Sequence, residues 1–122
     1  KTVKTLLLCN RQRTNYYLFV TRGDKPFSSK NFSEAMGCSR VSFAPADDLM
    51  NILQTKVGAA SALSLIVDKT NRVTTVLDRE ILGSEYYGCS DGTTTGYMKI
   101  KTDDLVKKYL PACGHYPITV EV

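Results

Sequence analysis

The sequence predicts an α+β domain, with a curved, mixed and mostly antiparallel sheet and helices packed around it. Three observations carry this expectation. Short apolar and β-branched runs recur along the chain and are joined by tight polar turns, as in hairpins. Helix-like stretches with capping residues are interspersed without the regular alternation of a parallel βαβ fold. A chain of 122 residues is one domain by size, able to bury roughly two thirds of its unfolded surface around one core.

The elements follow in order. Residues 5–9 (TLLLC) form a short buried strand, and residues 16–21 (YYLFVT) form a second, aromatic and β-branched. The polar residues 10–15 join them as a hairpin loop, and Arg22, Gly23, Asp24, Lys25 and Pro26 make a turn. Residues 29–36 form a helix, capped by Ser28 or Ser29 and closed by Gly37, with Phe32, Ala35 and Met36 on its buried face. Residues 41–44 give a short strand. A second helix begins at Asp47, and residues 57–61 (VGAAS) are a small-residue loop. Residues 62–67 and 73–77 read as a hairpin around residues 68–72. Residues 85–89 and 97–101 are two more strands, separated by a glycine and hydroxyl loop. Thr102 caps a third helix over 103–110, whose acidic first turn suits the helix dipole. A loop over 111–116 leads to a last alternating strand, 118–122.

Composition narrows the function. Hydrophobic residues make up 43% and charged residues 23%, which argues against disorder. Sixteen Lys and Arg against twelve Asp and Glu give a net charge of +4. That mild excess permits a phosphate-bearing partner without demanding one. No apolar run reaches the roughly 18 residues of a membrane helix, and leucines 6–8 are too few for a secretory signal, so no membrane partner is expected. Cys9, Cys38, Cys89 and Cys113 form no C-x-x-C pair and read as reduced thiols packed in a cytoplasmic protein. The single histidine, His115, excludes a catalytic zinc held by several imidazoles, and neither metal nor cofactor is expected.

The common nucleotide-binding, zinc-protease and serine-hydrolase motifs are missing. Cys113 with His115 is a conceivable nucleophile and base, but an i, i+2 spacing in a loop does not ensure their hydrogen bond. Four places remain. Lys30, at a helix start and beside Asn31, could bind an anion together with the free N–H groups of the first turn, or be an ordinary solvated lysine. The loop holding Asp91, Gly92 and Thr94 suits a small polar ligand, or is a plain hairpin connection. Gly114 and His115 could supply a base or donor, or a surface residue. Gly58 to Ser61 could line a narrow pocket or make a turn.

Taken together, these places match a known pattern. The opening strands (KTLLL and YYLFVTRGDK), residues 27–49 (FSSKNFSEAMGCSRVSFAPADDL), LSLIVDKTNRVTTVLDREIL and the closing CGHYPITVEV resemble the YbaK/ProX editing-domain family, also called the prolyl-tRNA synthetase associated domain. The resemblance covers nearly the whole chain, residues 1–122. Family members carry some residues before this point, so part of the domain is expected to be absent.

The resemblance implies an aminoacyl-tRNA deacylase that clears errors of prolyl-tRNA synthetase, free-standing or as part of the synthetase. Lys30 would be the family's functional lysine. The Lys30–Asn31 pair resembles the alanine-specific branch, which implies Ala-tRNA of the proline type as substrate. Gly58 matches the glycine of a G-x-x-x-P loop whose proline is Ala62 here. Gly114 and His115 match a late Gly-His. Where relatives carry F-H-P-x-x-N-T, this chain has Cys89-Ser90-Asp91-Gly92-Thr93-Thr94-Thr95. Lys30 and His115 are therefore the expected catalytic residues, and Asn31, Gly58, Ser61, Asp91, Gly92, Thr94 and Gly114 the expected substrate contacts. The expected partners are tRNA and prolyl-tRNA synthetase. Cys-, Ser- or Thr-tRNA as substrate, and a non-catalytic tRNA- or synthetase-binding module, are the competing readings.

Overall fold

The computed structural model describes residues 3–90 and 96–122. Among these residues seven strands divide into a five-stranded mixed sheet, ordered β3-β1-β2-β4-β7, and a two-stranded ribbon, β5-β6. β1 (Val3–Cys9) and β2 (Tyr16–Arg22) form the expected hairpin, from Val3 opposite Arg22 to Cys9 opposite Tyr16. β3 (Ser42–Phe43) adds antiparallel to β1. β4 (Val73–Asp78) lies parallel to β2, and β7 (Ile118–Val120) parallel to β4.

Alternation along the strands sends two sets of side chains to opposite faces. Leu7, Cys9, Leu18, Val20, Val73 and Leu77 face one core, closed by helix α2 (Ala46–Leu53), residues 62–67, Tyr87 and Cys89 of the ribbon, and Leu105 and Leu110. Leu8, Phe19, Val76 and Val120 face the other, closed by Phe32 of helix α1 (Ser29–Met36). Phe32 is fully buried, with its ring centroid 5.0 Å from Phe19 and 5.8 Å from Tyr17.

Helix α1 has the predicted ends. Ser28 Oγ accepts the Asn31 backbone N–H at 3.1 Å, and Gly37 closes the helix at φ 66°. Its face is shifted from the expected one: Ala35 is exposed, while Ser33 is buried.

Two expectations are corrected, and one turn is added. Residues 62–67 form a 3₁₀ helix, Ala62–Val67, not a strand. Both edges of β4 are taken by β2 and β7, so no edge is left for a hairpin partner. Ser61 and Ser64 also cap each other reciprocally, which favours a helical start. The third helix begins at Thr102 itself and runs over residues 102–112, with a π-helical stretch at Leu105–Tyr109. The Thr102 hydroxyl caps nothing and is buried without a partner among the described residues. Finally, residues 79–83, unassigned in the sequence reading, form a second 3₁₀ turn, Arg79–Gly83, started by Asp78 Oδ1 accepting the Glu80 N–H at 3.0 Å.

Candidate functional site

Among the concavities at the end of the sheet where Val3 pairs with Arg22, two lie on opposite faces. The first lies under the start of α1 and is lined by Thr21, Lys25, Ser28, Asn31, Phe32 and Val122, among others. Its volume is about 30 Å³, room for a water or two by the usual measure of about 10–15 Å³ per water. The second is a cleft of about 290 Å³, lined by Val3, Arg22, Glu80, Ile81, Gly83, Ser84, Tyr86 and Tyr87. Its size suits a small organic group.

An ion network separates the two. Asp78 is fully buried. Its Oδ2 accepts from Thr21 Oγ1 at 2.7 Å and from Lys25 Nζ at 2.8 Å. Burial works against the Asp78 charge, but the bonds from Lys25 and Thr21 outweigh it and hold the carboxyl below its ordinary range. Lys25 also pairs with Glu80, which accepts from Arg22 Nη1 at 3.0 Å. Turn 22–25, strand β4 and the 3₁₀ turn are thereby fixed as one rim.

A hydrogen bond ties the cleft to the end of the small-residue loop: Tyr87 Oη accepts the Ala62 backbone N–H at 3.0 Å. Tyr109 supports the same segment from the other side, donating to the Leu63 carbonyl at 2.6 Å, with burial pushing its phenol up to about 12. Within that loop Gly58 is exposed at φ 89°, a conformation that favours glycine. Ser61 is buried, its Oγ spent on the Leu63 N–H.

The predicted site residues therefore fall into separate groups. Lys30 and Asn31 sit together at the first turn of α1, both exposed. Asn31 lines the small pocket, whereas Lys30 lines neither concavity. Gly58 and Ser61 belong to the opposite face, linked to the cleft through Ala62 and Tyr87. Asp91, Gly92 and Thr94 lie outside the described residues.

Gly114, at φ 81°, ends the third helix, its N–H donating to the Pro111 carbonyl at 2.9 Å. His115 is 1% exposed. Its Nε2 is 3.2 Å from the Asp68 carbonyl and 3.5 Å from Asp68 Oδ2, and its Nδ1 is 3.4 Å from Thr75 Oγ1. Thr75 pairs with Leu18, four residues along β2 from Arg22, or about 13 Å up the sheet. An imidazole so enclosed does not touch a ligand in either concavity. His115 lines neither of the two concavities. The Asp68 carboxylate it approaches accepts the Arg72 and Val73 N–H groups at 3.0 and 2.8 Å, setting the entry to β4.

Lys4 is half-buried on β1 opposite Thr21, on the face of Leu6 and Leu8, and makes no ion pair with the described residues. The cleft lining adds Arg22 and Tyr86, which the sequence pattern marks only as parts of a turn and a strand. All four cysteines are free thiols. Among the described residues no cluster of His, Cys, Asp and Glu has the arrangement of a metal site, and no helix is long and apolar enough to cross a membrane.

Fold and cleft together define a small α+β domain with a cleft at one end of a mixed sheet. Residues 1–108 match the model of the aminoacyl-tRNA editing domain, and the chain belongs to that family. It is 27% identical over 105 residues to the prolyl-tRNA editing protein ProX of Acetoanaerobium sticklandii, an overlap of 86% of this chain and 64% of that protein. It is 29% identical over 117 residues to prolyl-tRNA synthetase associated domain-containing protein 1 of Danio rerio, covering 94% and 62%. The chain thus spans somewhat under two thirds of the length of these relatives. The fold is shared with the crystal structure of the hypothetical protein APE2540, at a TM-score of 0.74 and 23% identity over 98% of this chain and 73% of that one. A solved candidate trans-editing enzyme for prolyl tRNA synthetase gives 0.73 and 16% over 99% and 70%.

Proposed function

We propose that this chain hydrolyses the ester of mischarged aminoacyl-tRNA, with alanine on tRNA of the proline type as its substrate and prolyl-tRNA synthetase as the source of the error. The observation that carries this reading is the family match over residues 1–108, joined to a cleft of about 290 Å³ beside the Tyr87-anchored loop. An aminoacyl ester is already activated. A positioned water and donors for the developing oxyanion supply much of the rate, without a metal or a covalent nucleophile.

In this proposal the aminoacyl group enters the cleft, and backbone groups of residues 58–61 hold the ester and its water. The substrate's vicinal hydroxyl assists. Lys30 and Asn31, at the same end of the sheet on the other face, take a phosphate or ribose of the incoming RNA end. Lys4, nearer to the rim and held on a strand, adds a second cation there. His115 acts indirectly, by fixing the Asp68 turn and the exit of the third helix. Proline is rejected by bulk, which a small pocket does better than it selects by attraction.

A second reading keeps the chemistry and changes the amino acid to cysteine, serine or threonine. It is favoured by Ala62, which stands where the family motif has proline. Deacylation of Ala-, Cys-, Ser- and Thr-tRNA, side by side, separates the two. Loss of the alanyl ester ahead of the others supports the first reading, and preference for another ester supports the second.

A further inference from the structure

The ribbon formed by β5 (Tyr86–Ser90) and β6 (Tyr97–Lys101) has two unlike faces. Tyr87 and Cys89 turn inward to the core, with Ile100 packed beside them. Tyr86 opposite Lys101, and Gly88 opposite Lys99, lie on the outward face. There Tyr86 remains 44% exposed, a high value for a tyrosine on a strand. Lys99 Nζ lies 4.9 Å from the centroid of its ring. Neither strand contains a carboxylate (YYGCS and YMKIK), and neither Lys99 nor Lys101 forms an ion pair with the described residues. The same Tyr86 lines the cleft.

An exposed ring with the Lys99 ammonium over one face, a second ammonium on Lys101 and a glycine that leaves the strand surface low form a stacking platform with phosphate contacts. Every nucleobase has a π-face, so stacking of this kind is tolerant of sequence, and lysines track the backbone. We propose that the outward face of the β5-β6 ribbon binds the unpaired 3′ end of an RNA. Tyr86 stacks on a base at the mouth of the cleft, and Lys99 and Lys101 contact the phosphates behind it. The inference rests on the editing reading for its substrate and adds where the single-stranded end is held.

The test uses uncharged RNA, so that its failure and that of the editing reading are distinguishable. Fluorescence anisotropy would measure binding of an RNA hairpin with a four-nucleotide 3′ overhang, and of the same hairpin cut blunt. The intact chain is expected to prefer the overhang. Tyr86→Ala should remove that preference, with a loss of about tenfold in affinity, and Tyr86→Phe should keep it. Lys99→Gln with Lys101→Gln should flatten the slope of log affinity against log salt by about 1.4, at roughly 0.7 per contact for single strands. Equal binding of overhang and blunt hairpins by the intact chain would overturn the proposal. So would an overhang preference that survives Tyr86→Ala. If the intact chain binds the overhang through Tyr86 but hydrolyses no aminoacyl ester, the ribbon assignment stands and the editing reading falls.

Discussion

The phenol of Tyr87 accepts the backbone N–H of Ala62 at 3.0 Å, so the ribbon is tied to the residue that follows the small-residue loop. Ala62 is fully buried and Tyr87 nearly so. Tyr87→Phe leaves that N–H without its acceptor, at a cost of about 1–2 kcal/mol. Chemical denaturation should show this loss. Deacylation should fall further than a uniform loss of stability explains, because the 58–61 backbone shifts. A Tyr87→Phe protein with normal stability and normal kcat/KM would remove this bond from the account.

The Asp78 network predicts a pH profile for stability. Asp78 is held below its ordinary value of 3.8. Its contribution is present above that value and is lost as the pH falls through the lowered folded one. Burial works to lower the Lys25 pKa, but the bonds to Asp78 and Glu80 outweigh it and raise it above 10.5. The lysine's share is therefore present below 10.5 and lost as the pH rises through the raised value. Asp78→Asn should cost about 2 kcal/mol near neutrality, the usual scale for a charge-assisted hydrogen bond. It should also shallow the acid limb. Urea midpoints at several pH values check both.

Lys30 and Lys4 are predicted to behave differently. The Lys30 ammonium is exposed and screened, so Lys30→Ala should raise KM for charged tRNA a few-fold and leave kcat nearly intact. Lys4 is half-buried on a strand, where its charge is better fixed and less screened, so Lys4→Ala should cost more in kcat/KM. Steady-state kinetics on both variants decide. A total loss of turnover in Lys30→Ala alone would return the central role to Lys30.

His115→Ala is expected to lower stability by about 2–4 kcal/mol, as removal of a buried ring does. His115→Asn, which restores one polar contact, should recover part of it. Activity should follow stability in both. If His115→Ala folds normally and loses turnover selectively, the ring reaches the substrate after all.

Most of the architecture was legible in the sequence because local signals and tertiary pairing agree. The aromatic and β-branched run YYLFVT marked β2, and Ser28 and Gly37 marked the ends of α1. The failure at residues 62–67 has a physical source. A β-rich composition (ALSLIV) was overridden by the Ser61–Ser64 cap and by strand neighbours that arrive from distant parts of the chain. The site was less legible. The family resemblance groups Lys30 with His115, but only the sheet register shows that α1 and the Asp68–Thr75 pocket lie on opposite faces. Tyr86 could not be found from pattern alone, since Tyr86 and Tyr87 are adjacent and only the pleat sends one inward.

The most direct test of the central claim is a deacylation time course on Ala-tRNA of the proline type, with Pro-tRNA of the same isoacceptor as control. The account predicts rapid loss of the alanyl ester and persistence of the prolyl ester. Survival of both esters, with RNA binding intact, would contradict it.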